Sequence, residues 1–209
     1  MPVKVVSAEF VTSGSARLPP NVLRDEIPQF AFTGRSNVGK SSLLNALLRD
    51  KIARTSAAAG KTRLANVFCV TAEGGPGGPG QWRSYFVDLP GYGYARGGPA
   101  SVRELAEVVN TYLASSAAAL HEKGAVFLLV DSRHPGLASD LQVHRQICET
   151  TTPRIIATKV DKLSQSERAR HMRAIDDAFG TRALAVSVTT GEGIADLWDM
   201  VAGLSRGQA

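Results

Sequence analysis

Short apolar runs alternate with longer amphipathic stretches along most of the chain. The run Ala125–Val130 is continuously apolar, as expected of a central strand that is covered on both faces. Five further runs have a strand-like composition: Gln29–Thr33, Leu64–Thr71, Ser84–Leu89, Arg154–Thr158 and Ala183–Ser187. Five stretches between them have helical periodicity: Lys40–Arg49, Val102–Leu120, Ser139–Glu149, Ser164–Phe179 and Ile194–Leu204.

This alternation predicts an α/β fold with a mostly parallel six-stranded sheet and helices on both faces. Only the runs Leu64–Thr71 and Ser84–Leu89 have no helical stretch between them, which predicts one antiparallel hairpin. Their connection, residues 73–81, consists mainly of Gly and Pro, and we expect it to be a mobile surface loop.

The length of 209 residues fits a single domain, here residues 1–209, with a core at about 28–205 and a short N-terminal extension. No apolar run reaches the roughly 20 residues of a membrane-spanning helix, so we expect no membrane insertion. The first ten residues lack the pattern of a secretory signal. Cys69 and Cys148 lack metal-type spacing and are predicted to be reduced core residues, which indicates a cytoplasmic protein.

A phosphate-binding loop is predicted between the first predicted strand and the first predicted helix. The residues run Gly34-Arg-Ser-Asn-Val-Gly-Lys-Ser41, in the strand-loop-helix context that a P-loop requires. Lys40 can neutralise the β and γ phosphates, and the Ser41 hydroxyl can ligate Mg²⁺. Backbone N–H groups of the loop and the helix N-terminus bind the anion. The fold is therefore predicted to be the three-layer P-loop NTPase fold, with phosphate contacts from Gly34, Arg35, Ser36, Asn37, Val38, Gly39, Lys40 and Ser41.

The choice of base follows from Thr158-Lys-Val-Asp161, which comes directly after a predicted strand. The Asp161 carboxylate can accept hydrogen bonds from N1–H and the exocyclic amine of guanine, donors that adenine lacks at that edge. The aliphatic stem of Lys159 can cover the base, beside Val160. Thr158 stands where GTPases of this class often have Asn, and its hydroxyl can join neighbouring loops. Backbone N–H groups at the end of the last strand are predicted to contact guanine O6, from Val186, Ser187 and Val188.

The segment Asp88-Leu89-Pro90-Gly91 closes another predicted strand. Asp88 can hold Mg²⁺ through a water molecule, and the Gly91 N–H can reach the γ-phosphate. A Pro-Gly pair after a strand is also simply a turn. The position of the segment between the other elements favours the functional interpretation.

A further Mg²⁺ ligand is predicted in the segment Gly60, Lys61, Thr62, Arg63 and Leu64. A threonine before the next strand can ligate the metal only when the γ-phosphate is present, which orders the loop. Thr55 and Ser56 are alternatives to Thr62. Thr62 is preferred because it lies just before the strand.

Together these motifs resemble the EngB (YihA/YsxC) family of TrmE-Era-type bacterial GTPases. The resemblance rests on Gly34-Arg-Ser-Asn-Val-Gly-Lys-Ser-Ser42, Ala53-Arg-Thr-Ser56, Gly60-Lys-Thr62, Asp88-Leu-Pro-Gly-Tyr-Gly-Tyr-Ala95 and Thr158-Lys-Val-Asp-Lys162. It implies a cytoplasmic, monomeric GTPase that binds GTP and GDP with Mg²⁺ and assists assembly of the large ribosomal subunit precursor, through its rRNA and proteins. It also implies a requirement for normal cell division and septation, without DNA binding. Ala59 and Arg63 depart from the usual Pro and Gln of the family.

The expected reaction is attack of water on the γ-phosphate, with Lys40, Thr62, Gly91 and Asn37 as the candidate catalytic residues. Tyr92 occupies the position where Ras-type enzymes have a water-orienting Gln, which predicts slow intrinsic hydrolysis. Asn37 has two interpretations that the sequence leaves open. It can help coordinate a potassium ion beside the phosphates, or only stabilise the loop through local hydrogen bonds.

The formal net charge of +5 favours polyanionic partners such as RNA, although an arginine-rich solvated surface gives the same value. Three functions are compatible with these features: a GTPase switch on a ribosomal precursor, a protein-interaction switch at the division site, and a P-loop kinase with a small acceptor. The kinase hypothesis leaves the segments Thr158–Asp161 and Gly60–Thr62 unexplained.

Overall fold

The computed structural model describes residues 1–14, 26–48, 65–92, 107–116, 120 and 123–207. The predicted nucleotide contacts Gly60, Lys61, Thr62, Arg63 and Leu64, and the alternatives Thr55 and Ser56, lie outside these residues.

Seven strands form one sheet in the order β1-β3-β4-β2-β5-β6-β7. Their bounds are β1 Lys4–Gly14, β2 Gln29–Gly34, β3 Ala65–Glu73, β4 Gln81–Asp88, β5 Ala125–Asp131, β6 Arg154–Thr158 and β7 Leu184–Val186. The helices are α1 Lys40–Leu48, α2 with its described part at 107–116, α3 Ala138–Cys148, α4 Gln165–Phe179 and α5 Ile194–Ser205, with a short 3₁₀ turn at Val160–Lys162.

The pairing confirms the predicted α/β fold and its antiparallel hairpin. Strand β3 is antiparallel to β4, whereas the neighbours β4, β2, β5, β6 and β7 are all parallel. The predicted count of six strands is one too low, because β1 adds a strand antiparallel to β3 at the sheet edge. Residues 4–14, which the prediction assigned to an N-terminal extension before the core, therefore belong to the sheet. This edge strand is mostly exposed and has two register irregularities, so it lacks the apolar pattern of a buried strand.

Helices cover both faces of the sheet, as predicted. On one face α1 and α5 pack through Leu44, Leu47 and Trp198 onto inward-facing strand residues such as Phe32 and Phe127. On the other face α2, α3 and α4 pack onto alternate residues of the same strands, including Val126, Leu128 and Val130. Strand β5 is buried along its whole length because both of its faces are covered. This three-layer arrangement fixes the strand ends at which the predicted motifs lie.

The glycine- and proline-rich connection between β3 and β4 makes defined contacts. Arg206, just after α5, donates to the carbonyls of Pro76, Gly78 and Gly80 at 3.2, 2.8 and 2.9 Å. The Trp82 indole donates to the Gly74 carbonyl at 3.0 Å. The loop lies on the surface, as predicted, and Arg206 satisfies three of its carbonyl groups. Its mobility stays a prediction.

The two cysteines differ in their exposure to solvent. Cys69 is partly buried and Cys148 is exposed, and both are free, so the prediction that both are core residues is wrong for Cys148. Among the helices of the described residues, none has the length and apolar character needed to cross a membrane.

Candidate functional site

The parallel strands end along one edge of the sheet, and the predicted motifs follow those ends. Strands β2, β4, β5 and β6 end at Gly34, Asp88, Asp131 and Thr158. In open α/β sheets, ligands bind outside the carboxyl ends of the strands. The fold thus brings together segments that are more than 100 residues apart in the sequence.

The P-loop turns tightly from β2 into α1. Asn37 and Gly39 have φ values of 66° and 107°, and the Leu43 N–H donates to the Gly39 carbonyl at 2.9 Å as the helix begins. A Cβ atom on Gly34 would come within 2.9 Å of the Leu129 carbonyl oxygen, so a larger residue does not fit there. A loop of this shape at a helix N-terminus can bind phosphate oxygens.

Lys40 and Asp88 form an ion pair between the first turn of α1 and the end of β4. Both side chains are largely buried. The predicted phosphate countercharge and the predicted metal-binding carboxylate therefore lie next to each other. Asp88 and the partly buried Ser41 supply the oxygen donors that Mg²⁺ prefers, so these residues fit the metal that the motifs imply.

The segment that follows Asp88 packs directly on the P-loop. The Tyr92 N–H donates to the Gly34 carbonyl at 3.2 Å, and the Ser36 N–H donates to the Tyr92 carbonyl at 2.8 Å. A Cβ atom on Gly91 would lie 3.3 Å from the Gly34 carbonyl oxygen. Burial, and next the neighbouring Asp140 carboxylate, raise the pKa of the Tyr92 phenol. The phenol therefore stays protonated, and the side chain lacks the amide with which a Gln orients water.

Thr158 joins the end of β6 to the P-loop. Its hydroxyl donates to the Val38 carbonyl at 2.7 Å and lies 3.1 Å from the Val130 carbonyl. The next residue, Lys159, has a left-handed backbone with φ 61°, and its ammonium donates to the Asn37 carbonyl at 2.6 Å. The expectation that Thr158 joins neighbouring loops is thereby confirmed.

The Asp161 carboxylate is held in its ionised form. The Ser187 hydroxyl donates to Asp161 Oδ1 at 2.7 Å, and the Lys162 ammonium lies 3.2 Å from Oδ2. The hydrogen bond from Ser187, followed by that from Lys162, keeps the pKa of Asp161 below its ordinary value. An ionised carboxylate at this point can accept the two guanine donors that the motif predicts.

In the loop after β7, the backbone N–H of Ser187 has an acceptor within the chain. The Ser187 N–H, a predicted donor to guanine O6, donates instead to the Glu192 carbonyl at 3.0 Å. The Ser187 hydroxyl also accepts from the Thr190 N–H at 3.2 Å. The contact of this loop with guanine O6 stays a prediction.

Sequence reasoning missed residues that support these loops. Arg168 of α4 forms a bidentate ion pair with Glu192. Asp131, at the end of β5, is 2 % exposed and hydrogen-bonded to Arg133 and Lys159. Asp131 could have been noticed in the sequence, because it is a carboxylate directly after the continuously apolar run Ala125–Val130. The Arg168–Glu192 pair had no comparable signal.

Comparison with known proteins identifies the family. Residues 29–160 match the family model described as "50S ribosome-binding GTPase". A probable GTP-binding protein EngB from Anaeromyxobacter sp. (strain Fw109-5) is 40 % identical over 97 % of this chain and 93 % of its own. The corresponding protein of Lachnoclostridium phytofermentans is 36 % identical over 95 % of this chain and 92 % of its own. The chain belongs to the EngB family of GTP-binding proteins.

Solved structures agree on the fold. A crystal structure of a probable GTP-binding protein engB superposes with a TM-score of 0.63 at 20 % identity, over 86 % of this chain and 99 % of its own. A bacterial selenocysteine-specific elongation factor superposes with a TM-score of 0.56 at 16 % identity, over 87 % of this chain and 29 % of its own. EngB membership means that the chain is a GTPase that binds GTP and GDP, in a family that generally uses Mg²⁺.

Proposed function

We propose that this EngB family member is a GTP-dependent switch that binds the large ribosomal subunit precursor, contacts its rRNA and proteins, and assists its assembly. The observation that carries the proposal is the match of residues 29–160 to a family of 50S ribosome-binding GTPases. The net charge of +5 supports an RNA-containing partner, because a basic surface attracts phosphate. In this proposal the chain acts as a single-domain monomer in the cytoplasm.

The proposed nucleotide site has a phosphate-binding part and a guanine-binding part, both along the carboxyl ends of the parallel strands. Lys40 and the P-loop N–H groups bind the phosphates, and Asp161 with Val188 recognises guanine. Ser41, and Asp88 through water, hold Mg²⁺, which would neutralise charge on the phosphates. Thr62 is proposed to join Ser41 as a direct ligand in the GTP state. The fit of Ser41 and Asp88 beside Lys40 supports this assignment.

The proposed hydrolysis step uses electrostatic stabilisation more than acid–base chemistry. Lys40 and the Gly91 N–H stabilise charge that develops on the γ-phosphate. Tyr92 has no amide with which to orient water as a Gln does. A potassium ion near Asn37 is therefore retained as a proposed substitute. The left-handed φ of 66° gives Asn37 a competing backbone role, since Asn tolerates this conformation.

Cosedimentation with isolated large subunits tests the ribosomal partner. We expect binding with a non-hydrolysable GTP analogue, weak binding with GDP, and loss of binding as salt rises. Asp161→Asn is the matched control, because an amide suits the 2-oxo group of xanthine. This variant should bind subunits with the xanthosine analogue and not with the GTP analogue. Binding that is equal in GDP and GTP, or independent of salt, would contradict the proposal.

The proposed link to cell division and septation rests on the family resemblance alone. Copurification separates a direct role from an indirect one. Recovery of large-subunit RNA without septal proteins would place the division effect downstream of ribosome assembly. Recovery of septal proteins without that RNA would instead favour a switch at the division site.

A further inference from the structure

The buried carboxylate of Asp131 is shared by two cations. Arg133 donates to it through Nε at 2.9 Å, through Nη2 at 2.7 Å and through its backbone N–H at 3.1 Å. The Lys159 ammonium donates to Oδ2 at 2.9 Å. Asp131 and Lys159 are adjacent in space because Asp131 of β5 pairs in register with Thr158 of β6.

Lys159 and Arg133 differ in their further contacts and in their exposure. The Lys159 ammonium continues to the P-loop, where it donates to the Asn37 carbonyl at 2.6 Å. The Arg133 side chain is 42 % exposed, against 27 % for the Lys159 side chain. The Asp131 carboxylate therefore stands one contact away from the phosphate-binding loop through Lys159.

A lysine side chain without a partner samples many rotamers, and fixing it in one of them costs conformational entropy. An opposite charge buried beside the ammonium removes most of that freedom before any nucleotide binds. Without Asp131 the ammonium would have the Asn37 carbonyl and water as its partners. Asn37 and Lys159 both have left-handed backbones, so the contact joins two tightly turned segments.

We propose that Asp131 is a positioning residue for nucleotide binding. It holds the Lys159 ammonium on the Asn37 carbonyl, so that the loop around the phosphates and the motif around the base form one preorganised unit. The inference rests on the proposed placement of Lys159 over the guanine base. It assigns to the end of β5 a part in nucleotide retention.

The test measures dissociation of a fluorescent GDP analogue from the full chain. Asp131→Asn keeps the shape and removes the charge, and Lys159→Met keeps the aliphatic stem and removes the ammonium. We expect each to accelerate dissociation roughly tenfold or more, as for loss of a hydrogen bond to a charged group. The double variant should be no faster than Lys159→Met alone, because Asp131 acts through that ammonium.

Arg133→Gln is the matched control, because it removes the other cation that contacts the Asp131 carboxylate and leaves Lys159 in place. We expect it to change dissociation less than about twofold. A purely structural role for Asp131 would instead make Arg133→Gln and Asp131→Asn similar, and would make the double variant additive. If Asp131→Asn does not fold, the charge-balanced Asp131→Asn/Arg133→Gln protein replaces it, with the same expected acceleration.

The possible outcomes distinguish the role of Asp131 from the placement of Lys159 at the nucleotide. If Lys159→Met dissociates like the wild type, the ammonium does not retain the nucleotide and the role of Asp131 is refuted. If Lys159→Ala, which also removes the aliphatic stem, dissociates like the wild type, the placement of Lys159 over the base is wrong. If Lys159→Met is fast while the Asp131 variants match the wild type, the nucleotide site stands and the role of Asp131 is refuted.

Discussion

The Thr158 hydroxyl donates to the Val38 carbonyl at 2.7 Å, which joins the motif predicted to select guanine to the loop predicted to bind phosphate. The two residues are 120 positions apart in the sequence. The same oxygen lies 3.1 Å from the Val130 carbonyl of β5. One buried hydroxyl thus connects the ends of β5 and β6 to the P-loop.

Replacing Thr158 by Val keeps the shape of the side chain and removes the hydroxyl. We expect GTP and GDP affinity to fall together, because both depend on the same loop. The free energy of unfolding should fall by about 1–3 kcal/mol, since the Val38 carbonyl loses its buried donor. Calorimetric binding and urea unfolding measure the two effects. Thr158→Ser, which keeps the hydroxyl, should stay close to the wild type, and equal losses in both variants would contradict this role.

The pair Arg168–Glu192 connects the first turn of α4 to the loop that contains Ser187. A capping box at Ser164, in which Ser164 and Glu167 satisfy each other's backbone N–H groups, fixes the start of that helix. Because both partners are more than a third exposed, Arg168→Gln should change the free energy of unfolding by less than about 1 kcal/mol. It should nevertheless weaken GDP binding severalfold, since the loop that positions Ser187 and Val188 loses a support.

The charge-reversed double variant Arg168→Glu/Glu192→Arg is the control for that pair. Restored GDP affinity would show that the ion pair, and not either side chain alone, positions the loop. Affinity that is unchanged in Arg168→Gln would remove the pair from the nucleotide site.

Potassium dependence distinguishes the two interpretations of Asn37. Asn37→Gly is the informative variant, because Gly keeps the left-handed φ of 66° and removes the side chain. With the ribosomal partner present, we expect GTP turnover in the wild type to be faster in potassium than in sodium at matched ionic strength. The variant should lose this difference while it still binds nucleotide. Identical wild-type rates in the two salts would leave Asn37 a purely structural residue.

The Asp131 carboxylate should make folding stability depend on pH. Burial opposes its ionisation, but the hydrogen bonds from Arg133 and Lys159 outweigh burial and keep its pKa well below the ordinary value of 3.8. The resulting stabilisation is complete above that ordinary pKa and is lost as pH falls through the folded-state pKa. Unfolding of wild type and Asp131→Asn should therefore differ by about 3 kcal/mol at pH 7 and by progressively less below pH ~4. A difference that is constant with pH would contradict the charge-based explanation.

The sequence by itself determined the α/β alternation, the P-loop and the order of the nucleotide motifs. These features are local: the residues from Gly34 to Ser41 specify a turn and a helix start, and an apolar run such as Ala125–Val130 specifies a covered strand. The position of Asp161 just after β6 was predictable for the same reason, because it depends on one local motif, whereas its contact with guanine stays a prediction.

The tertiary structure alone decided which distant groups meet. Strand β1 was missed because an edge strand covered on few sides has no continuous apolar signal. Arg206 donates to the Gly78 carbonyl, although the two residues are 128 positions apart in the sequence. The Ser187 N–H donates to the Glu192 carbonyl. Asp131, Lys159 and Asn37 converge because parallel strands place their carboxyl ends on one edge of the sheet, and that neighbourhood is set by strand order and register, not by spacing along the chain.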